Sequence, residues 1–249
     1  MTKPIALGEH NPTEPLVITS RRREHVFYSA MAGAVALTVL AGFARTYYLR
    51  TLFAEEPLQL MLHLHGLVFT SWIVLFVTQT SLVAADRTRV HRRLGIAGGV
   101  IAALVIAFGT ATAIVRAGQG AAPTGVPPLV FMAVPLADMV VFAMLVGAGF
   151  RFRRRPDMHK RLMLLATISI LAAPIARLPF PFMDAGPLAF FGLADLFLVP
   201  CVLYDLMTRG QVHRATLWGG LLIVASQPLR LVISGTDAWM AVARWLTGS

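Results

Sequence analysis

Seven apolar stretches, each close to twenty residues long, constrain this chain more than any other feature of its sequence. They lie at residues 26–44, 58–84, 94–115, 128–150, 162–178, 187–207 and 216–234. Because an α-helix rises about 1.5 Å per residue, such a stretch can cross a hydrocarbon core of about 30 Å. Charged residues make up only 14% of the chain, against roughly a quarter in soluble domains. The pattern predicts an all-α, polytopic transmembrane bundle of seven spans.

The polar residues around these stretches divide the chain into three segments. Residues 1–25 form a polar, basic tail, residues 26–236 form the seven-helix transmembrane domain, and residues 237–249 form a short amphipathic segment. Trp239 and Trp245 lie in that last segment, and tryptophan is typical of the membrane interface. We therefore expect residues 237–249 to lie along the membrane surface.

The distribution of the 22 Lys and Arg residues predicts the orientation of the bundle. Most of them lie in the tail and in three alternate loops: Lys3, Arg21 to Arg23, Arg87, Arg89, Arg92, Arg93, Arg151, Arg153 to Arg155, Lys160, Arg161, Arg209 and Arg214. The positive-inside rule places these loops and the N-terminus in the cytoplasm and the C-terminus outside. Such a cationic face would bind anionic lipid head groups. The net charge of +10 is thereby explained without nucleic acid, which we exclude as a partner.

A threefold internal repeat connects these loops with the spans that follow them. The strings V-H-R-R-L at His91, M-H-K-R-L at His159 and V-H-R-A-T at His213 each precede a span with an arginine near its outer end. The arginines are Arg116, Arg177 and Arg230. The spans before these loops each carry a polar residue at similar depth, namely His65, Asp138 and Asp195. The simplest interpretation is one leading helix followed by three similar helical hairpins.

The repeat predicts a polar cluster in the outer half of the bundle. An ionised carboxylate in hydrocarbon is costly and should find a partner or a wet cavity. We expect Asp138 to pair with Arg177, or Asp195 with Arg230, and Arg116 to lie nearby. Together with His65 these side chains would line a polar cavity.

The densest signal for chemistry is the string M-L-H-L-H-G, residues 61–66. Residues two apart on a helix point about 200° from one another, so His63 and His65 face one site only if the helix is distorted. His65 is the better candidate to face the bundle, because Trp72 and Gln79 follow it at seven-residue intervals. Its imidazole, with His63 or Met61, could bind a metal ion or relay protons. The alternative is a hydrogen bond to a neighbouring helix.

His91 and His159 form a second constellation at equal depth on different helices. Two such histidines could hold haem b axially, with the adjacent arginines meeting its propionates, or they could bind copper. The alternative is that both anchor helix ends and contact lipid phosphate. His213 shares both interpretations.

The motifs H-x-H-G at His63, H-R-R-L-G at His91 and H-K-R-L-M at His159 resemble those of a family of bacterial multi-span inner-membrane proteins without an assigned activity. The resemblance covers residues 58–178 and implies a multi-pass protein of the bacterial inner membrane. A more distant likeness is to membrane b-type cytochromes and cytochrome-oxidase accessory proteins. Those cytochromes pair histidines near both membrane faces, whereas the outer side of this chain offers only His63 and His65.

Three hypotheses about function follow from these residues. The first is a histidine-based haem or metal site with an electron-transfer or metal-handling role. The second is a small transporter or proton-linked carrier with an intramembrane His/Asp/Arg cavity. The third is a structural or assembly subunit of a membrane complex, with another protein as partner. The sequence assigns no catalytic residue, and it contains none of the Walker, G-x-S-x-G, H-E-x-x-H or C-x-x-C motifs.

Overall fold

The computed structural model describes residues 14–53, 57–123 and 125–249, and every regular element in these ranges is helical. The α-helices are α1 (Glu14–Phe43), α2 (Leu60–Ala84), α3 (Thr88–Gly118), α4 (Pro128–Phe131), α5 (Ala133–Arg151), α6 (Pro156–Ile168), α7 (Ala172–Ile175), α8 (Pro187–Asp195), α9 (Leu198–Arg209), α10 (Arg214–Ser234) and α11 (Asp237–Thr247). A π-helical turn (Ala44–Tyr48) continues α1, and short 3-10 helices cover Arg50–Phe53 and Pro181–Ala185.

Within the described ranges, seven helices or helix pairs are long and apolar enough to cross a membrane, which confirms the predicted apolar helical bundle. They are Arg21–Tyr48, Leu60–Ala84, Thr88–Gly118, Pro128–Arg151, Pro156–Ile175, Pro187–Arg209 and Arg214–Ser234. Helix α1 begins at Glu14, inside the predicted polar tail of residues 1–25. Residues 1–13 of that tail lie outside the described part of the chain.

Three of the spans are broken into two helices, and each break precedes a proline. Pro135 follows the break between α4 and α5, Pro174 the break between α6 and α7, and Pro200 the break between α8 and α9. Proline has no N–H to donate to the carbonyl four residues earlier, and its ring crowds that carbonyl. By contrast, Pro228 lies inside the continuous helix α10.

The α6–α7 span forms the centre of the bundle. In its apolar window 72% of the residues are buried, against 22 to 44% in the other six spans. Its neighbours approach closely. Gly42 of α1 leaves no room for a Cβ against the Pro174 carbonyl, and a Cβ at Gly219 of α10 would lie 2.6 Å from a Leu165 methyl. Beside this centre, Trp72 and Phe142 pack edge to face, with ring centroids 5.0 Å apart.

The spans run in alternate directions and give the bundle two chemically different ends. We call the end that holds the α2–α3, α5–α6 and α9–α10 connections the basic end, and the opposite end the distal end. His91 and His159 lie in the first turns of α3 and α6, and His213 precedes α10, so all three repeat histidines lie at the basic end. The repeat arginines and His65 lie toward the distal end.

The C-terminal segment forms helix α11, which packs on α3 and α4 at the distal end. The Thr236 hydroxyl caps it by accepting from the Trp239 N–H at 3.2 Å, and the Trp239 indole donates to the Leu129 carbonyl at 2.8 Å. Ala243 is buried while Trp245 is 78% exposed. The helix therefore has one face packed on the bundle and one exposed face, and its position along a membrane surface stays a prediction.

Candidate functional sites

At the basic end, His91 and His159 lie side by side. Their ring centroids are 6.2 Å apart and their planes make an angle of 80°. The Nδ1 atom of His159 lies 2.8 Å from the carbonyl oxygen of Gly149 on α5. Because a carbonyl only accepts hydrogen bonds, Nδ1 carries the proton and Nε2 keeps its lone pair. The structure therefore brings the two predicted histidines together and holds one of them with a free nitrogen.

The surroundings of His91 leave further polar atoms without a partner. Its Nδ1 atom is buried and makes no hydrogen bond within the described ranges, and the same is true of Oε1 of Gln79. The Gln79 amide nitrogen donates to the His91 carbonyl at 3.2 Å, so this side chain lies directly beside the first turn of α3. Buried polar atoms without a partner are rare and call for an explanation such as a bound ion or water.

His213, the third repeat histidine, has a different role. Its Nδ1 accepts from the Ala215 N–H at 3.1 Å and thereby caps α10, while its own N–H donates to Asp205 at 3.1 Å. Burial lowers the pKa of His213, and the nearby Arg161 and Arg209 guanidinium groups lower it further. Both effects keep the imidazole neutral and able to accept, so this ring is engaged in the fold.

A buried ion pair that the sequence analysis did not predict stands next to this cap. Arg161 of α6 donates through both Nε and Nη2 to one oxygen of Asp205, with the Nε distance at 2.9 Å. The other oxygen of Asp205 accepts from the Thr216 hydroxyl at 2.5 Å. The pair links α6, α9 and α10. A sequence signal existed, because Asp205 is a carboxylate inside a predicted apolar stretch.

At the distal end, the arginines do not pair as predicted. Asp138 forms a buried ion pair with Arg230, whose guanidinium also donates to the Ser226 hydroxyl at 2.8 Å. Asp195 accepts from the Gln227 amide at 2.7 Å. The predicted alternatives, Asp138 with Arg177 and Asp195 with Arg230, are both wrong. The position of each residue along its apolar stretch placed these groups at one level of the bundle. It did not show which helices are neighbours.

Arg177 lies on the other side of this end and contacts no carboxylate in the part of the chain described. Its guanidinium donates to the Ala173 carbonyl at 2.6 Å and lies over the ring of Phe43, 5.0 Å from the centroid. It is close enough to His65 for an electrostatic interaction. Arg177 therefore reaches the polar residue of the preceding hairpin, just as Arg230 reaches Asp138.

The structure does not bring Met61, His63 and His65 together as a metal site. His63 is exposed, and its ring lies 6.2 Å from that of Tyr47. His65 turns inward and stacks on Phe69, with ring centroids 4.2 Å apart. The helix is not distorted here, so residues two apart point away from each other. Within the described ranges no three His, Cys, Asp or Glu side chains form a metal-binding group.

The predicted polar cavity is divided as well. Arg116 donates to the Gln119 side chain at 3.3 Å, one turn away on its own chain segment. Asp138 and Arg230 are paired with each other, Asp195 is bonded to Gln227, and Arg177 lies apart from all of them beside His65. These contacts satisfy the side chains separately, so they give a carrier lined by the whole set no support.

No family model, curated protein or solved structure matches this chain. The geometry of the two ends is therefore the basis on which a function can be inferred.

Proposed function

We propose that this protein is a multi-pass membrane protein that binds one transition-metal ion at its basic end, through His91 and His159. The seven apolar helices support its membrane location. By the positive-inside rule the basic end faces the cytoplasm, where its arginines contact anionic lipid head groups. The bacterial inner membrane is the location that the motif resemblance implies. The site would then serve electron transfer or metal handling at the cytoplasmic side of the membrane.

The observation that carries the proposal is the hydrogen bond from His159 to the Gly149 carbonyl. Histidines that bind metals in proteins usually donate their second ring N–H to a carbonyl or carboxylate, which fixes the tautomer and the ring orientation. His159 has this arrangement, and the same bond supplies a donor to the Gly149 carbonyl in the last turn of α5.

The spacing of the rings also suits a shared ion. Two imidazoles on one metal ion have centroids about 5 to 6 Å apart, since each metal–nitrogen bond is about 2.0 to 2.1 Å long. The observed separation of 6.2 Å needs only a small closure. The buried Oε1 of Gln79 is the nearest candidate for a third ligand, and water can complete the coordination. Imidazole ligands favour copper, zinc, iron or nickel.

The same region does not suit haem. A haem between the rings would need a slot as wide as the macrocycle, but Gln79 bonds α2 to the start of α3. On the other side, a Cβ at Gly149 would lie 2.7 Å from the Met163 sulfur, so α5 and α6 are in contact beside His159. The proposal is therefore a single metal ion rather than the haem b that the sequence also allowed.

Each residue has a defined part in the proposed site. His159 would bind through Nε2 while Gly149 holds its ring in place, and His91 would bind from α3. Copper at such a site would supply one-electron chemistry. Zinc would instead have a structural role or be the ion that the protein carries. Arg92 lies within electrostatic reach of His91, whereas the charge of Lys160 is paired with Glu24 and Asp157.

The proposal is tested by metal binding to the detergent-purified protein. Isothermal titration calorimetry with Zn²⁺ and Cu²⁺ should show one metal site per chain. Either His91→Ala or His159→Ala should lower the metal affinity by about tenfold to a hundredfold, the loss typical of disturbed metal sites. His63→Ala, which removes an exposed histidine from the distal end, is the matched control and should leave the affinity unchanged. Equal affinity in wild type and both single variants would overturn the proposal.

A further inference from the structure

The distal end collects unpartnered hydrogen-bond donors. Seven buried side-chain polar atoms in the described ranges have no hydrogen-bond partner, and four of them lie at this end. They are Thr46 Oγ1, Arg50 Nε, His65 Nδ1 and Thr112 Oγ1. The two hydroxyls and the guanidinium N–H are donors, and the imidazole, which faces the Phe108 carbonyl, has a second N–H to donate when the ring is protonated. A concentration of this kind indicates a ligand that accepts hydrogen bonds.

These atoms come from helices that meet around Arg177. Phe43, the last residue of α1, lies under the Arg177 guanidinium, and Gly42 beside it contacts Pro174. Thr46 belongs to the π-helical turn after Phe43, and Tyr47 and Tyr48 of that turn bond α2 at His63 and Thr70, on either side of His65. The Arg50 guanidinium donates to the Thr46 carbonyl at 2.9 Å, which keeps these two groups together.

His65 and Thr112 approach from the opposite side. The His65 imidazole faces the Phe108 carbonyl of α3 and lies within electrostatic reach of Arg177. Thr112 is one helical turn beyond Phe108 and therefore lies on the same face of α3. These groups thus come from the end of α1, from α2 and from α3, and Arg177 contacts Phe43 at the end of α1 and interacts electrostatically with His65 of α2.

Neither Arg50 nor Arg177 contacts a carboxylate within residues 14–53, 57–123 and 125–249. The repeat shows what is missing, because Arg230 occupies the corresponding position and has Asp138 as its partner. In the earlier hairpin the residue at the aspartate position is His65, which brings no negative charge of its own. A guanidinium near hydrocarbon without a counterion is costly.

From these observations we infer that the distal end contains an anion-binding site, formed by Arg177, Arg50 and His65 with the hydroxyls of Thr46 and Thr112, which takes a carboxylate or phosphate group. Two guanidinium groups and neutral donors match such a group in charge and in hydrogen-bonding capacity. The Arg177 side chain is exposed, so the site is open to a ligand. The anion can belong to a lipid head group or to a small soluble molecule. This site is independent of the proposed metal site at the other end.

Two variants and one control test the inference. Arg177→Gln removes the central cation while keeping side-chain length. His65→Asp supplies an internal carboxylate and so reproduces the Asp138–Arg230 arrangement. Arg116→Gln removes another distal arginine, which is bonded only to Gln119 next to it, and serves as the matched control.

The experiment measures the thermal stabilisation and binding of detergent-purified protein with three probes: inorganic phosphate, phosphatidylglycerol and phosphatidylcholine. We expect phosphate or phosphatidylglycerol to stabilise the wild type and Arg116→Gln. Both Arg177→Gln and His65→Asp should lose at least tenfold in affinity. Binding of phosphatidylglycerol without phosphate identifies a lipid, and binding of phosphate identifies a soluble anion. The inference is overturned if neither anion binds, or if His65→Asp and Arg177→Gln bind as well as Arg116→Gln does.

Discussion

The third hairpin, α8 to α10, differs from the first two at both ends of the bundle. Its histidine, His213, caps α10, and its arginine, Arg230, is paired with Asp138. In the earlier hairpins His91 and His159 each have a ring nitrogen without a hydrogen bond in the described ranges, and Arg177 lies within electrostatic reach of His65 rather than beside a carboxylate. Equivalent positions of a repeat are therefore satisfied internally in one copy and left open in the others. The open copies are where we place ligands.

The largest expected effect tests the satisfied arginine. Asp138→Ala leaves the buried Arg230 without its partner, and breaking a buried ion pair on one side costs about 3 to 5 kcal/mol of stability. Asp195→Ala removes a carboxylate that bonds only the neutral Gln227 and should cost about 1 kcal/mol. Reversible unfolding in detergent measures both. Similar losses for the two variants would show that Arg230 does not depend on Asp138.

A smaller loss is expected at the histidine of the third hairpin. His213→Ala removes the acceptor for the Ala215 N–H, and loss of a helix cap costs about 0.5 to 2 kcal/mol. Metal affinity should stay at the wild-type value, because this ring does not belong to the proposed site. The same unfolding and titration measurements check both statements. A marked loss of metal affinity would mean that the third hairpin is open as well.

The cap also predicts a direction for pH dependence. Because the pKa of His213 is lowered in the folded protein, the unfolded chain binds its proton first as the pH falls. The contribution of His213 is therefore fully present above its unfolded pKa, about 6.5, and declines as the pH falls below that value. The difference in melting temperature between wild type and His213→Ala should narrow from pH 7 to pH 5. A difference that widens in this range would contradict the assignment of the ring as a neutral acceptor.

The smallest change in the free energy of unfolding is expected at Arg177, an arginine without an ion pair in the described ranges. Arg177→Gln breaks no ion pair, and the side chain is exposed, so stability without added anion should change by no more than about 0.5 kcal/mol. The comparison with Asp138→Ala, made under identical conditions, sharpens the contrast between the paired and the open copy. A loss of several kcal/mol would show that Arg177 has a structural partner after all.

The sequence predicted the helices well because runs of about twenty apolar residues have few other solutions. It placed the starts of α3 and α6 about six residues too late, since Arg89, Arg92 and Lys160 were assigned to loops and instead extend the first turns. The breaks before Pro135 and Pro200 were not predicted, although proline chemistry explains them.

The ion pairs between helices could not be predicted from the sequence, for a physical reason. The hydropathy pattern gives the depth of a residue along its span, but not the direction in which its side chain points or which span lies next to it. Asp138 was therefore expected beside Arg177, the arginine of its own hairpin, rather than Arg230. Asp205 was missed because it was counted with the apolar span that ends at residue 207. The proximity of His91 and His159 was predicted because the repeat put them at equal depth on helices that start at the same end.

The central claim is that His91 and His159 bind one metal ion together while His213 does not. Electron paramagnetic resonance of the protein loaded with one equivalent of Cu²⁺ tests it most directly, because imidazole nitrogens bound to copper split the spectrum. We expect coupling to two nitrogens in wild type and in His213→Ala, and to one nitrogen in His91→Ala and in His159→Ala. A copper spectrum without nitrogen coupling, or one that neither His91→Ala nor His159→Ala alters, would contradict the claim.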